Sequence, residues 1–240
     1  MDIGILALYI QHALKDSTMA TSLSPQIDWQ QIDTVLLDMD GTLLDLHFDN
    51  YFWLELLPVE YARSKQITVE QARDFLLGYF QKIEGTLNWY CLDHWSETLQ
   101  LDMTQLKREI QHKIKIRPHV EGFLTALRAL NKKLVLITNA HQDSLSLKLE
   151  VTQINRWLDV VISSHEFKTP KEEQEFWHQL TAVEQFDPER TLFIDDTVRV
   201  LKAAETFGIR HLLCIHQPDS QQPRKIQDYP AIHHFDEIMP

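Results

Sequence analysis

The sequence predicts a parallel α/β sheet covered by helices on both faces, with an α-helical unit inserted after the first strand. Three observations carry this reading. Strand-like apolar runs recur five times, and several (VLL, LVLI, LFI) are apolar at consecutive positions rather than alternating, as strands buried on both faces are. Helical patterns separate the runs at intervals of roughly 20 to 30 residues, which argues for right-handed crossovers between parallel strands. One interval breaks this rhythm: about 95 residues part the first run from the second, far more than a crossover needs.

In chain order, residues 1–28 read as a loose leader. Ile3–Ile10 is apolar but only about half a bilayer span, and Asp2 without any Lys or Arg precedes it, the wrong charge for a signal peptide. Met19 is a second candidate start. Thr34–Asp38 is the first predicted strand. Residues 46–116 hold helix signals and no convincing strand: Phe48–Leu57, a capping box at Thr68 and Gln71 leading into Ala72, Leu76 and Tyr79, then Trp89–Leu99 and Met103–Ile114. The aromatics Tyr51, Trp53, Trp89, Tyr90 and Trp95 read mainly as the small core of this unit, with some left to line a pocket facing the sheet. Pro118 starts the next helix, through Leu124, Leu127 and Leu130. Lys133–Thr138 is a strand, Asp143–Ile154 a helix, and Leu158–Ser163 a strand. Thr169–Pro170 is predicted to begin a helix reaching about Phe186. The strand Thr191–Asp195, the helix Thr197–Phe207 closed by Gly208, and the strand His211–Ile215 complete the alternation. The expected division is thus a sheet domain of residues 29–45 and 117–240 around a helical domain of residues 46–116.

Composition excludes several function classes. None of the six glycines lie two or five apart, so neither G-x-G-x-x-G nor G-x-x-x-x-G-K is present, and the usual dinucleotide fold and P-loop are excluded. A net charge of −12 with scattered Lys and Arg repels phosphate polymers, so no nucleic-acid partner is expected. No segment beyond the leader suggests a membrane. Cys91 and Cys214 form no C-x-x-C and suit a reducing, cytoplasmic compartment; the twelve histidines include no H-E-x-x-H, so spacing favours no zinc site. The sequence leaves the oligomeric state open.

The chemistry concentrates at strand ends. The first strand runs into Asp38-Met39-Asp40-Gly41-Thr42, and the fourth ends in Asp195-Asp196. Carboxylates so close do not ionise together comfortably without a cation. Ligands of parallel sheets bind beyond the C-terminal strand ends, where two acidic ends on adjacent strands would form a hard oxygen site suited to Mg²⁺. Thr138-Asn139, ending the second strand before a helix, can hold an anionic oxygen. Lys171, expected in the first turn of a helix, opposes the dipole that Glu172, Glu173 and Glu175 obey.

These four segments, in this order, resemble the four motifs of the haloacid dehalogenase (HAD) superfamily of phosphohydrolases, and the helical insertion is similar to the cap of its subfamily I. Within it, LLDMDGTLLDLHFDNYFW, LNWYCLDHW, LITNAH and ERTLFIDD resemble the bacterial GMP/IMP 5′-nucleotidase branch. The resemblance implies a Rossmann-like core and an enzyme cleaving a small phosphorylated metabolite, a nucleoside monophosphate being first choice. Sugar-phosphate or phosphoglycolate phosphatase activity, and a β-phosphoglucomutase-like isomerase, stand as alternatives. It implies Asp38 as nucleophile, Asp40 as acid and base, and Thr138, Asn139 and Lys171 as phosphate-binding residues. It also implies Mg²⁺ held by Asp38, Asp40, Asp195 and Asp196. Where many relatives carry a further polar residue after the last motif, Thr197-Val198-Arg199-Val200 stands here, so weaker support of the metal carboxylates is expected.

Overall fold

The computed structural model describes residues 25–224 and 228–240. Ile3–Ile10, Met19 and most of the expected leader lie outside the described residues. The strands are β1 (Thr34–Leu37), β2 (Lys133–Thr138), β3 (Val160–Ser163), β4 (Thr191–Asp195), β5 (His211–Ile215) and β6 (Ala231–Ile232). They form one sheet in the order β3-β2-β1-β4-β5-β6, every neighbouring pair parallel. The chain therefore builds outward from β1 in one direction and resumes at β4 in the other. The switch point lies between β1 and β4, the two strands that end in carboxylates.

Period-2 alternation feeds both faces. Val35, Leu37, Leu134, Leu136, Leu192 and Ile194 pack into one apolar layer, and Leu36, Val135, Ile137 and Phe193 into the other. The first layer is covered by α7 (Val120–Ala129) and α8 (Gln142–Thr152), the second by α10 (Gln174–Val183) and α11 (Val198–Phe207). Gly208 closes α11 in a left-handed conformation with φ 109°.

Between β1 and β2 lie α1 (His47–Tyr51), α2 (Leu57–Lys65), α3 (Val69–Ile83), α4 (Leu87–Tyr90), α5 (Leu92–Leu99) and α6 (Met103–Glu109), with no strand of the sheet among them. A π turn at Phe52–Leu56 joins α1 to α2. At the start of α3 the predicted capping box is present: Thr68 Oγ1 accepts the Gln71 N–H, and Gln71 Oε1 accepts the Thr68 N–H. Trp53, Phe80, Trp89 and Trp95 form a cluster of rings 5.2 to 6.2 Å apart, Trp53 and Trp89 stacked and the other pairs tilted or edge-on, so these aromatics are the unit's core, as expected.

Two expectations are corrected. The helix predicted from Thr169–Pro170 begins at Gln174; residues 164–167 form the short helix α9 (Ser164–Phe167), and the chain then turns. Lys171 thus sits in a turn, not against a helix dipole. The strand β6 carries no apolar run of its own, and adds to the sheet by pairing Ala231 and Ile232 with Cys214 and Ile215.

Candidate active site

One cavity, open between the sheet's C-terminal edge and the helical insertion, is lined by every predicted site residue: Asp38, Asp40, Thr138, Asn139, Lys171, Asp195 and Asp196. Asp38 follows β1 directly, and Asp195 ends β4 beside it. Lys171 reaches between them from the turn before α10. Its Nζ donates to Asp38 Oδ1 at 2.6 Å, to Asp195 Oδ2 at 2.7 Å and to the Ile137 carbonyl at 3.2 Å. Burial alone would lower this lysine's pKa; the two carboxylates outweigh it and hold the ammonium well above its ordinary range. Lys171 is therefore a fixed positive charge.

Three carboxylates, Asp38, Asp195 and Asp196, place oxygens within 4.8 Å of one another. Asp38 and Asp195 share the Lys171 ammonium, so the three carboxylates, when all ionised, carry a surplus of negative charge over it. Burial pushes Asp195 up to about 8 despite the pull of Lys171, with Asp38 and Asp196 adding repulsion. Asp38 Oδ2 is buried and accepts no hydrogen bond. Charge surplus, all-oxygen donors and an unpartnered carboxylate oxygen fit a hard divalent cation such as Mg²⁺.

The supporting contacts are in place. Asp195 Oδ1 accepts the Thr197 N–H at 2.7 Å, and Asp196 Oδ1 accepts the Thr197 hydroxyl at 3.2 Å. Thr197 thus steadies both carboxylates, while the apolar Val200 stands where many relatives carry a polar residue. Gly41 turns the chain out of β1 with φ +89°, and a Cβ there would lie 2.7 Å from Asp196 Oδ2 and 2.9 Å from Pro218 Cβ.

Thr138 Oγ1 accepts the Ala140 N–H at 3.0 Å, leaving its own O–H to donate. Asn139 is committed on both sides: its Oδ1 accepts the Lys171 N–H at 2.9 Å, and its Nδ2 donates to Glu172 Oε2 at 2.9 Å. Its side chain therefore positions Lys171. Glu172 Oε1 in turn accepts the hydroxyl of Tyr90, from the helical insertion, at 2.6 Å.

A buried charge chain that sequence reasoning missed lies on the other side of Asp40. Lys148, on α8, donates to Asp40 Oδ1 at 2.6 Å and to Asp49 Oδ2 at 2.8 Å; Lys107, on α6, donates to Asp49 Oδ1 at 2.7 Å. Burial pushes Asp40 up to about 6 against the attraction of Lys148. Asp49 behaves oppositely: burial would raise it, but Lys107 and Lys148 together hold it well below the usual carboxylate range. The available signal was a lysine three residues after Leu145, on the face that α8 buries.

The sign of Asp49's shift sets an acid response. Its contribution is complete above the unfolded carboxylate value of about 4 and declines as pH falls below it. Asp49→Asn should lower the urea midpoint at neutral pH, because it strips a charge partner from two buried lysines, and should flatten the fall in midpoint between about pH 5 and 3. Equal acid slopes in the variant and the parent would remove Asp49 as the source.

Trp53 and Trp89 wall the cavity on the insertion side, beside Tyr90; Trp95 and Tyr51 do not reach it.

Comparison with known proteins gives concordant results. The family model described as haloacid dehalogenase-like hydrolase matches residues 32–208. The GMP/IMP nucleotidases YrfG of Escherichia coli (strain K12) and of Shigella flexneri are each 43% identical over 215 residues, covering 89% of this chain and 97% of theirs. Among solved structures, a HAD phosphatase from Thermococcus onnurineus superposes with a TM-score of 0.72 at 21% identity, over 86% of this chain and 95% of that one.

Proposed function

Because the chain belongs to the haloacid dehalogenase-like hydrolases, we propose that the cavity hydrolyses phosphomonoesters, with purine nucleoside 5′-monophosphates as substrates. The observation that carries the substrate class is the identity to GMP/IMP nucleotidases, long enough to run through the helical insertion as well as the sheet. Trp53 and Trp89 bring the edge of the insertion's aromatic core to the cavity, where a purine base would meet apolar surface. In this reading residues 29–45 and 117–240 are the catalytic core and residues 46–116 its cap.

Asp38 is the nucleophile. One oxygen of its carboxylate attacks phosphorus, the bond from phosphorus to the ester oxygen breaks, and an aspartyl-phosphate forms. Asp40 gives its proton to the departing alkoxide, then takes one from the water that hydrolyses the acyl phosphate and restores Asp38. Thr138 donates its hydroxyl to a phosphoryl oxygen, and Lys171 supplies a charge that does not titrate away. Asp38, Asp195 and Asp196, with the Asp40 carbonyl, would hold Mg²⁺. When bound, it offsets the repulsion between an anionic nucleophile and an anionic ester. Two unpaired cysteines fit a reducing cytoplasmic setting; no helix among the described residues is long and apolar enough to cross a membrane.

A panel of phosphomonoesters tests the assignment. Phosphate release is expected from GMP and IMP with Mg²⁺ and is lost in EDTA. Release from sugar phosphates or phosphoglycolate alone would overturn the substrate class while leaving the chemistry intact.

A further inference from the structure

A second cluster of side chains that could hold a metal lies at the seam between the insertion and the sheet; it shares no residue with the carboxylate set, though His141 also lines the cavity. Cys91 comes from the junction of α4 and α5, His141 from the loop that caps α8, and His165 from α9. Each offers one ligand atom, and the three atoms lie within 4.8 Å of one another. No spacing along the chain announces them, because the fold collects them from three separate segments.

The surroundings suit a ligand set better than a packed core. His165 Nε2 is buried and has no hydrogen-bond partner, a costly state unless something else occupies the lone pair. The His165 ring meets the His141 ring edge-on, with centroids 5.1 Å apart. The His141 ring sits between carboxylates, Nε2 3.4 Å from Asp93 Oδ2 and Nδ1 3.9 Å from Asp143 Oδ2. Nδ1 also accepts the Asp143 N–H at 3.4 Å; with Nδ1 turned to an ion in place of that contact, Nε2–H faces the Asp93 carboxylate, the arrangement that fixes metal-binding imidazoles. The Cys91 sulfur accepts the His94 N–H at 3.5 Å.

We propose that Cys91, His141 and His165 bind a thiophilic divalent cation of the Zn²⁺ class, tying the helical insertion to the sheet domain. One thiolate and two imidazoles select such an ion over Mg²⁺, which prefers oxygen. The site is distinct from the acidic set, and it does not depend on the substrate assigned to the cavity.

Cobalt(II) provides a readout other than turnover. The full chain, held in excess Mg²⁺ and titrated with Co²⁺, should develop a near-ultraviolet sulfur-to-cobalt charge-transfer band that Zn²⁺ displaces. The chain contains only one other cysteine, Cys214, which is fully buried and whose thiol burial pushes up to about 12. Loss of the band in Cys91→Ser therefore assigns it. His165→Gln, which retains the thiol, should weaken Co²⁺ binding by about tenfold or more. Absence of the band in the parent chain, or its survival in Cys91→Ser, would overturn the proposal. So would unchanged affinity in His165→Gln, a measurement that stands even if Cys91→Ser does not fold.

Discussion

Asp38→Asn should abolish turnover, by at least about a thousandfold, while leaving a folded protein. An amide of the same shape fills the same buried space but cannot attack phosphorus, and loss of a covalent nucleophile leaves only binding and electrostatic assistance. The charge count makes the stability outcome specific. In the metal-free state Asp38, Asp195 and Asp196 crowd one ammonium, Lys171, and Asp38 is among the groups that repel Asp195. Removing one of those charges relieves repulsion while Lys171 keeps Asp195 at 2.7 Å. The melting temperature in EDTA should therefore stay level or rise. Turnover near the parent's would refute the nucleophile; a marked drop in melting temperature would refute the charge surplus.

Lys148→Met should be nearly as damaging, by a different route. Methionine keeps most of the side chain's length, but Asp40 loses the ammonium that faces it and Asp49 keeps only Lys107. Breaking a buried ion pair by deleting one partner costs about 3 to 5 kcal/mol, and a chain of this size should lose roughly 10 °C in melting temperature. Lys148 transfers no proton in the proposed chemistry; through its bond to Asp40 Oδ1 it positions Asp40. A merely structural role would depress all substrates alike. A positioning role discriminates by leaving group, because an alkyl phosphate needs the proton from Asp40 and p-nitrophenyl phosphate, whose leaving group departs unaided, needs it far less. The expected result is a larger fall in kcat for GMP than for p-nitrophenyl phosphate. Equal falls would make Lys148 a core residue only.

How far the sequence reached depends on whether a signal was local. Double burial is written into consecutive apolar residues, so Val35-Leu36-Leu37 and Leu192-Phe193-Ile194 were recognisable as central strands. The carboxylates were recognisable for the opposite reason: Asp38 and Asp195 are charges where such a strand should hold apolar side chains. Lys171 was singled out, but its dipole argument failed, because Asn139 holds its backbone N–H in a turn and α10 starts later. The Asp40–Lys148–Asp49–Lys107 chain was invisible in principle, since its bonded partners are 58 to 108 residues apart and no periodicity pairs them. Cys91, His141 and His165 share that property. The two-residue strand β6 depends on its neighbour β5 and not on its own composition.

Gly41 has a consequence for how this chain can drift over generations. Six glycines are few for 240 residues, and at Gly78, Gly122 and Gly208 an added methyl would meet nothing within 4 Å. At position 41 it would strike the Asp196 carboxylate and the Pro218 ring together. No neutral first step leads away from glycine there, because a tolerated replacement requires the β4 end and the loop after β5 to change in the same lineage. Descendants that have lost Gly41 should therefore also have rebuilt positions 196 and 218, and with them the way the site holds its charge.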